Sequence, residues 1–228
     1  PLANKRDEFD LPVDTIYLDG NSLGALPKAV KSRVAEVVNQ QWGSYLIRSW
    51  NDHQWIDLPN QVGDKIAPII GAAKGQVICC DSISVNLFKL LSSALSLNPG
   101  RNVVLSTQDN FPTDLYMVQG LSDLLGPDLC QLKLVAEQHI EQSLSDSVAV
   151  LLLTQVNFRT GQLLDMQKLT KLAHEKGILV IWDLAHSAGA LPVELDNCNA
   201  DFAVGCGYKY LNGGPGSPAF LYVAKRHQ

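Results

Sequence analysis

From Gln76 onward the chain alternates short, β-rich apolar runs with longer stretches of helical periodicity, and this alternation restricts the architecture more than any other feature. Strands are predicted at 77–80, 102–106, 130–135, 148–154, 178–183, 201–205 and 219–223. Helices are predicted between most of them. One spans 84–97 and is stopped by Asn98-Pro99-Gly100; a second spans 113–125 and is stopped by Gly126-Pro127; a third spans 166–176, opened by Asp165 and closed by Gly177. The most hydrophobic strands are continuous rather than alternating, as strands covered on both faces must be. The predicted fold is α/β, with three α/β/α layers around a mostly parallel sheet.

The first third reads differently. Val30, Val34, Val37 and Val38 recur at helical spacing after Pro27, and Val62, Ile66, Ile69 and Ile70 do so before Gly71. Two amphipathic helices are expected, flanking a loop over 43–55 that is rich in Trp and polar side chains. The expected division is an N-terminal arm and helix over 1–53 and one large domain over 54–228.

With 46% hydrophobic and 18% charged residues, against about 25% charged in an ordinary domain, the chain can bury a large core. Its 18 basic and 23 acidic side chains give a net charge of −5, and no basic run is longer than Lys225-Arg226. Nucleic acid and anionic lipid are therefore not expected as partners. The longest apolar runs, 148–153 and 178–182, fall far short of the ~20 residues of a spanning helix, and no signal-like segment lies near Pro1. Five cysteines, with no C-x-x-C spacing, argue against a disulfide framework or a zinc knuckle. A soluble, cytoplasmic protein is expected. The absence of an initial Met and the stop soon after an apolar run expected to be a central strand suggest a piece of a longer polypeptide.

Ligands of parallel sheets bind beyond the carboxyl ends of the strands. The residues that follow the predicted strands include Asp81 to Ser84, Gln108 to Phe111, Gln155 to Asn157, Asp183 to His186, and Cys206 to Lys209. There is no G-x-G-x-x-G or Walker loop for nucleotides and no G-x-S-x-G elbow for a serine hydrolase. Asp183 and His186 stand without a third metal ligand at a recognisable spacing, so no metal is expected. A Schiff-base lysine fits better. Lys209 follows a buried strand among small and aromatic residues, where desolvation lowers an amine pKa. Asp183 ends the hydrophobic run before His186 and needs a cationic partner to justify its place. Pyridoxal 5′-phosphate uses these two groups, a lysine for its aldehyde and an acid for its ring nitrogen. Its phosphate needs a helix N-terminus such as the one opened by Ser84-Val-Asn86, and Phe111 is placed to cover the ring.

Taken singly, each residue has a plainer role. Lys209 reads as a solvated loop residue, Asp183 as the cap of a following helix, His186 as a satisfied structural histidine, and Phe111, Trp50 and Trp55 as core or interface aromatics. Their joint occurrence at successive strand ends favours the cofactor.

Five segments carry a resemblance: Leu18-Asp-Gly-Asn-Ser-Leu-Gly24, Ser84-Val-Asn-Leu-Phe88, Phe111-Pro-Thr-Asp114, Trp182-Asp-Leu-Ala-His-Ser-Ala-Gly189 and Tyr208-Lys-Tyr-Leu-Asn-Gly-Gly-Pro-Gly216. In order and along the whole chain, they resemble the kynureninase family, fold-type I pyridoxal-phosphate enzymes of the aspartate aminotransferase superfamily. Cysteine desulfurases share the Asp and Lys logic but differ in these segments, and a desulfurase-like lyase or a non-catalytic fragment stays as the alternative. The resemblance implies that Lys209 carries the cofactor aldehyde and Asp183 partners the pyridine nitrogen. It places His186 near the ring and Tyr208 at the phosphate. It stacks Phe111 on the ring, sets Asp114 near its nitrogen edge, lets Ile83 and Ser84 contact phosphate, and brings the Trp50 loop toward the substrate's aromatic ring. Lys209, Asp183 and Tyr208 would be the catalytic set. It further implies hydrolysis of L-kynurenine or 3-hydroxykynurenine in tryptophan catabolism and NAD biosynthesis, a homodimer, and a C-terminal remainder of the large domain plus a small domain beyond Gln228. The piece 1–228 alone is expected to be inactive.

Overall fold

The computed structural model describes residues 3–228. Seven strands form one sheet in the order β1-β7-β6-β5-β4-β2-β3: β1 (Val77–Cys79), β2 (Val103–Thr107), β3 (Gln131–Val135), β4 (Val148–Thr154), β5 (Leu179–Asp183), β6 (Phe202–Cys206) and β7 (Ala219–Val223). The pairings among β3, β2, β4, β5 and β6 are parallel, while β7 runs antiparallel to both β6 and β1. β2, β4 and β6 are buried along their whole length, including the hydroxyl-bearing Ser106, Thr107 and Thr154 at the ends of β2 and β4.

The helices Ile83–Leu97 and Pro112–Leu125 cover one face, burying Leu87, Leu91, Val118 and Leu121 against Val104, Val150, Leu152 and Val204. The helix Met166–Glu175 and the segment Leu58–Ile70 cover the other, where Met166, Leu169, Ile66 and Ile70 meet Leu151, Val180, Trp182 and Phe220. Gly63 allows the Leu58–Ile66 helix to lie directly on β1, since a Cβ there would collide with the Val77 carbonyl. Asp165 caps its helix as expected, its Oδ1 accepting from Lys168 N at 3.0 Å. The three-layer α/β/α arrangement and the mostly parallel sheet are those predicted.

Three local expectations change. The helix after Ser82 begins at Ile83, with Ser82 as cap and Ser84 already inside the first turn. The helix Lys28–Glu36 buries none of its side chains in this chain, so its valine stripe faces outward. The segment 43–55 is a succession of short helical turns rather than an open loop. No helix among the described residues is long and apolar enough to cross a membrane.

Candidate active site

Parallel pairing brings the carboxyl ends of β2, β4, β5 and β6 to one edge, and the antiparallel β7 begins at that edge because Cys206 pairs with Ala219. A cavity of about 360 Å³ opens there. Its walls include Ile83, Ser84, Phe111, Asp114, Asp183, Tyr208 and Lys209, seven of the residues singled out from sequence. The joint-occurrence argument thus places residues from four separate segments around one space.

Asp183, the last residue of β5, is 2% exposed. Its Oδ1 accepts from Ala185 N at 2.8 Å, a tight turn rather than a helix cap, since no helix follows. Asp114, on the first turn of the Pro112–Leu125 helix, is 1% exposed and neither of its oxygens has a hydrogen-bond partner among the described residues. Burial pushes both carboxyls above their ordinary range, Asp114 strongly so, with the charge of Asp183 adding to the shift. Two adjacent buried carboxylates cannot both ionise cheaply unless a cation sits with them.

Lys209 is itself buried, and its Nζ lies 2.7 Å from His186 Nε2. Burial, and then the charge of Lys209, lower the His186 pKa to about 4. The imidazole is therefore neutral near pH 7, with Nε2 accepting from the ammonium and Nδ1 carrying the proton. The lysine amine also lies 5.6 Å from the centre of the Phe111 ring and 5.9 Å from that of Tyr208. Phe111 is braced edge-on by Phe158 at 5.1 Å, and Phe158 stacks on His186 at 6.4 Å. His186 touches Lys209 from behind and is not part of the cavity wall.

The opening motif acts as a backing to this lysine. Gly24 N donates to Tyr208 O at 2.8 Å, and a Cβ on Gly24 would collide with the Lys209 carbonyl. Only glycine lets the arm approach so closely.

Trp50 is corrected. It is not among the cavity-lining residues; it is 46% exposed and packs edge-on against Trp55 at 6.4 Å. The surrounding turns are fixed by hydrogen bonds from Ser49 Oγ to Gln41 O and from Trp55 Nε1 to Gln41 Oε1, which leave the Trp50 indole on the outside of this chain.

Sequence reasoning passed over Thr154 and Asn110. Thr154 sits in register with Asp183, its Oγ1 3.4 Å from Asp183 Oδ2, and donates to Asn110 Oδ1 at 2.5 Å. A lone hydroxyl at the open end of a Val/Leu strand was the available signal. Ser217, which also lines the cavity, lies in a Gly- and Pro-rich segment with no strand or helix periodicity to point to it, whereas Thr113 sits in the first turn of the second predicted helix, where helical spacing alone does not say that it faces the cavity.

Pyridoxal phosphate can be tested against these walls. The unpaired Asp114 oxygens and the under-donated Asp183 suit a protonated ring nitrogen, Lys209 lies across the same cavity, and the first turn at Ile83 and Ser84 offers free N–H groups with Tyr208 and Ser217 nearby. The residues present fit the group. Among the described residues no group of three or more His, Cys, Asp or Glu could hold a metal ion.

Residues 16–227 match the aminotransferase class-V family. Over its full length the chain is 55% identical to a kynureninase of Deinococcus radiodurans and 52% identical to one of Burkholderia pseudomallei, and it spans 56% of the length of each. In structure it is similar to a C-DES variant with glycine covalently linked to the PLP cofactor, with a TM-score of 0.81 at 17% identity over 97% of this chain and 60% of that one. At that identity the likeness is one of fold.

Proposed function

Since this chain belongs to the aminotransferase class-V family, we propose that the whole enzyme uses pyridoxal 5′-phosphate to hydrolyse L-kynurenine, or its 3-hydroxy derivative, to the corresponding anthranilate and L-alanine. One observation carries the reading: a buried lysine and two under-donated buried carboxylates face one cavity. The kynureninases at 52–55% identity support this choice of substrate.

Bound there, the cofactor supplies an electron sink that makes bonds at the substrate's α- and β-carbons breakable. Lys209 Nζ would hold the cofactor aldehyde, and its amine is the group placed to accept and return a proton there. Neutral His186 accepts a hydrogen bond from Nζ and fixes its position. Asp183 holds the ring nitrogen in its protonated form, and Asp114 adds a second acceptor at that end. Phe111 covers one ring face and excludes water from it. Ile83, Ser84 and Tyr208 seat the phosphate.

We read 1–53 as an arm and 54–228 as the cofactor domain. The outward-facing Val34, Val38, Trp42, Ile47 and Trp50 support a homodimer in which Trp50 reaches a substrate ring only after assembly. A cytoplasmic location is proposed from composition alone. The test is to express the whole enzyme, add pyridoxal phosphate and follow the visible imine band, then assay anthranilate from kynurenine against sulfide from cysteine. Anthranilate without sulfide is expected. Sulfide release, or no imine band, overturns the reading.

A further inference from the structure

Behind the cavity a line of buried polar side chains runs from β2 to Asp183, and the proton in each of its hydrogen bonds can be assigned. Ser106 Oγ donates to Leu152 O at 2.7 Å, so toward Asn110 it offers only lone pairs. Asn110 must therefore present its Nδ2, which lies 2.9 Å from Ser106 Oγ. That leaves Asn110 Oδ1 facing the other way, where it accepts from Phe111 N at 2.7 Å and from Thr154 Oγ1 at 2.5 Å. Thr154 has a single hydroxyl proton and two acceptors within reach, Asn110 Oδ1 and, at 3.4 Å, Asp183 Oδ2. The shorter contact takes it.

We propose that Asn110 is a positioning residue that claims the Thr154 proton, so that a lone pair rather than a donor faces Asp183 Oδ2 and the carboxylate keeps its affinity for a cationic ring nitrogen. The same amide fixes the backbone entering Phe111, and so couples the covered ring face to the nitrogen end of the site. The other charged or titratable groups facing Asp183 are Asp114 and Lys209, with Cys206 and Tyr208 at the same wall. Of these, Asp114, its carboxyl pushed up strongly by burial, can itself donate to Asp183 when protonated; Thr154 is the donor that Asn110 controls. Ser106, Asn110 and Thr154 are all buried, so water does not replace the assigned bonds.

The role at the ring nitrogen rests on the cofactor reading above, but the proton assignment does not, and the two are tested separately. In the whole enzyme without cofactor, the carboxyl carbons of Asp183 and Asp114 are titrated by ¹³C NMR. Asn110→Ala frees the Thr154 hydroxyl to donate to Asp183, and the midpoint of the pair is expected to fall by roughly one pH unit. In Thr154→Val, which keeps the shape and removes the hydroxyl, the midpoint is expected to stay or fall. In the double variant the Asn110 effect vanishes. A rise in Thr154→Val, or no movement in Asn110→Ala, overturns the assignment whether or not cofactor binds. With ¹⁵N-labelled cofactor bound, Asn110→Ala is expected to move the pyridine nitrogen signal toward the unprotonated form. An unmoved signal overturns the role at the ring, and a wild-type enzyme that binds no cofactor overturns the functional reading instead.

Discussion

Asp183 and Asp201 are two buried aspartates at opposite edges of the same sheet, each within 2% of full burial, and they behave in opposite ways. Asp201, just before β6, is surrounded by donors: Val180 N and His174 Nε2 on one oxygen, and Arg226 Nη2 and His227 Nε2 on the other, all at 2.6–2.8 Å. Burial raises its pKa, but these bonds outweigh burial and bring it down to about 2. Asp183 has one backbone donor and a second carboxyl beside it, and its pKa rises. A carboxylate satisfied from every side holds the fold together. One left wanting is a seat for a cation that the fold does not provide.

Exchanging each aspartate for asparagine tests that contrast, and the largest difference should be in turnover. In the whole enzyme, Asp183→Asn is expected to lower kcat by roughly 10²–10⁴-fold, the range of a lost protonic function, as should Lys209→Ala. Asp201→Asn should leave kcat per folded molecule within about twofold, because its partners all lie at the far edge of the sheet. Equal losses in both asparagine variants would erase the distinction.

Stability should show the reverse order. Asp201→Asn leaves Arg226 and two histidines facing a neutral amide, and a loss of about 3 kcal/mol in urea unfolding is expected. Acid should expose the same bond set. A carboxyl at about 2 when folded, against an ordinary value of 3.8, stabilises the fold by about 2 kcal/mol above pH 4, and this is lost as pH falls through 2. His186 acts earlier. Its folded pKa of about 4 lies below the ordinary 6.5, so the unfolded chain takes up the proton first and stability declines as pH falls from 6.5 to 4. His186→Gln should remove that upper part of the acid limb and leave the lower part, as unfolding midpoints between pH 7 and 3 would report.

The sheet was largely legible because its information is local: unbroken Val/Ile/Leu runs separated by Gly and Pro stops place strands to within a residue or two, β4 and β7 without error. The segments that wall the cavity could be anticipated because a parallel sheet gathers whatever follows its strands. What could not be read was which side chains satisfy one another across strands. Nothing in Leu195 to Ala203 marks Asp201 as the partner of His174, Arg226 and His227, and nothing around Gln108 marks Asn110 as the partner of Thr154. The outward turn of the Val30–Val38 stripe was hidden for a related reason, since periodicity reports an apolar face but not whether this chain covers it.

The smallest effect is the most discriminating, because it has the less intuitive sign. In the protein without cofactor, Asp183→Asn should raise stability at pH 7 by about 1 kcal/mol. A folded carboxyl whose pKa is raised costs stability wherever the unfolded chain is ionised, and that cost is absent below the ordinary carboxylate value of 3.8. The gain should therefore be present at pH 7 and fade as pH falls through 4. Geometry favours the amide as well. Its oxygen can keep the 2.8 Å bond from Ala185 N, while its NH₂ meets the Thr154 lone pair and an Asp114 oxygen that now has no partner. Asp201→Asn has no such gain at any pH, since there the amide replaces an acceptor that four donors require. Urea unfolding of the wild type and both variants at pH 7 and pH 4 would decide it. If Asp183→Asn is destabilised at pH 7 to the same extent as Asp201→Asn, then Asp183 is a structural aspartate held by bonds of its own, and its claim to a cofactor rests on Lys209 alone.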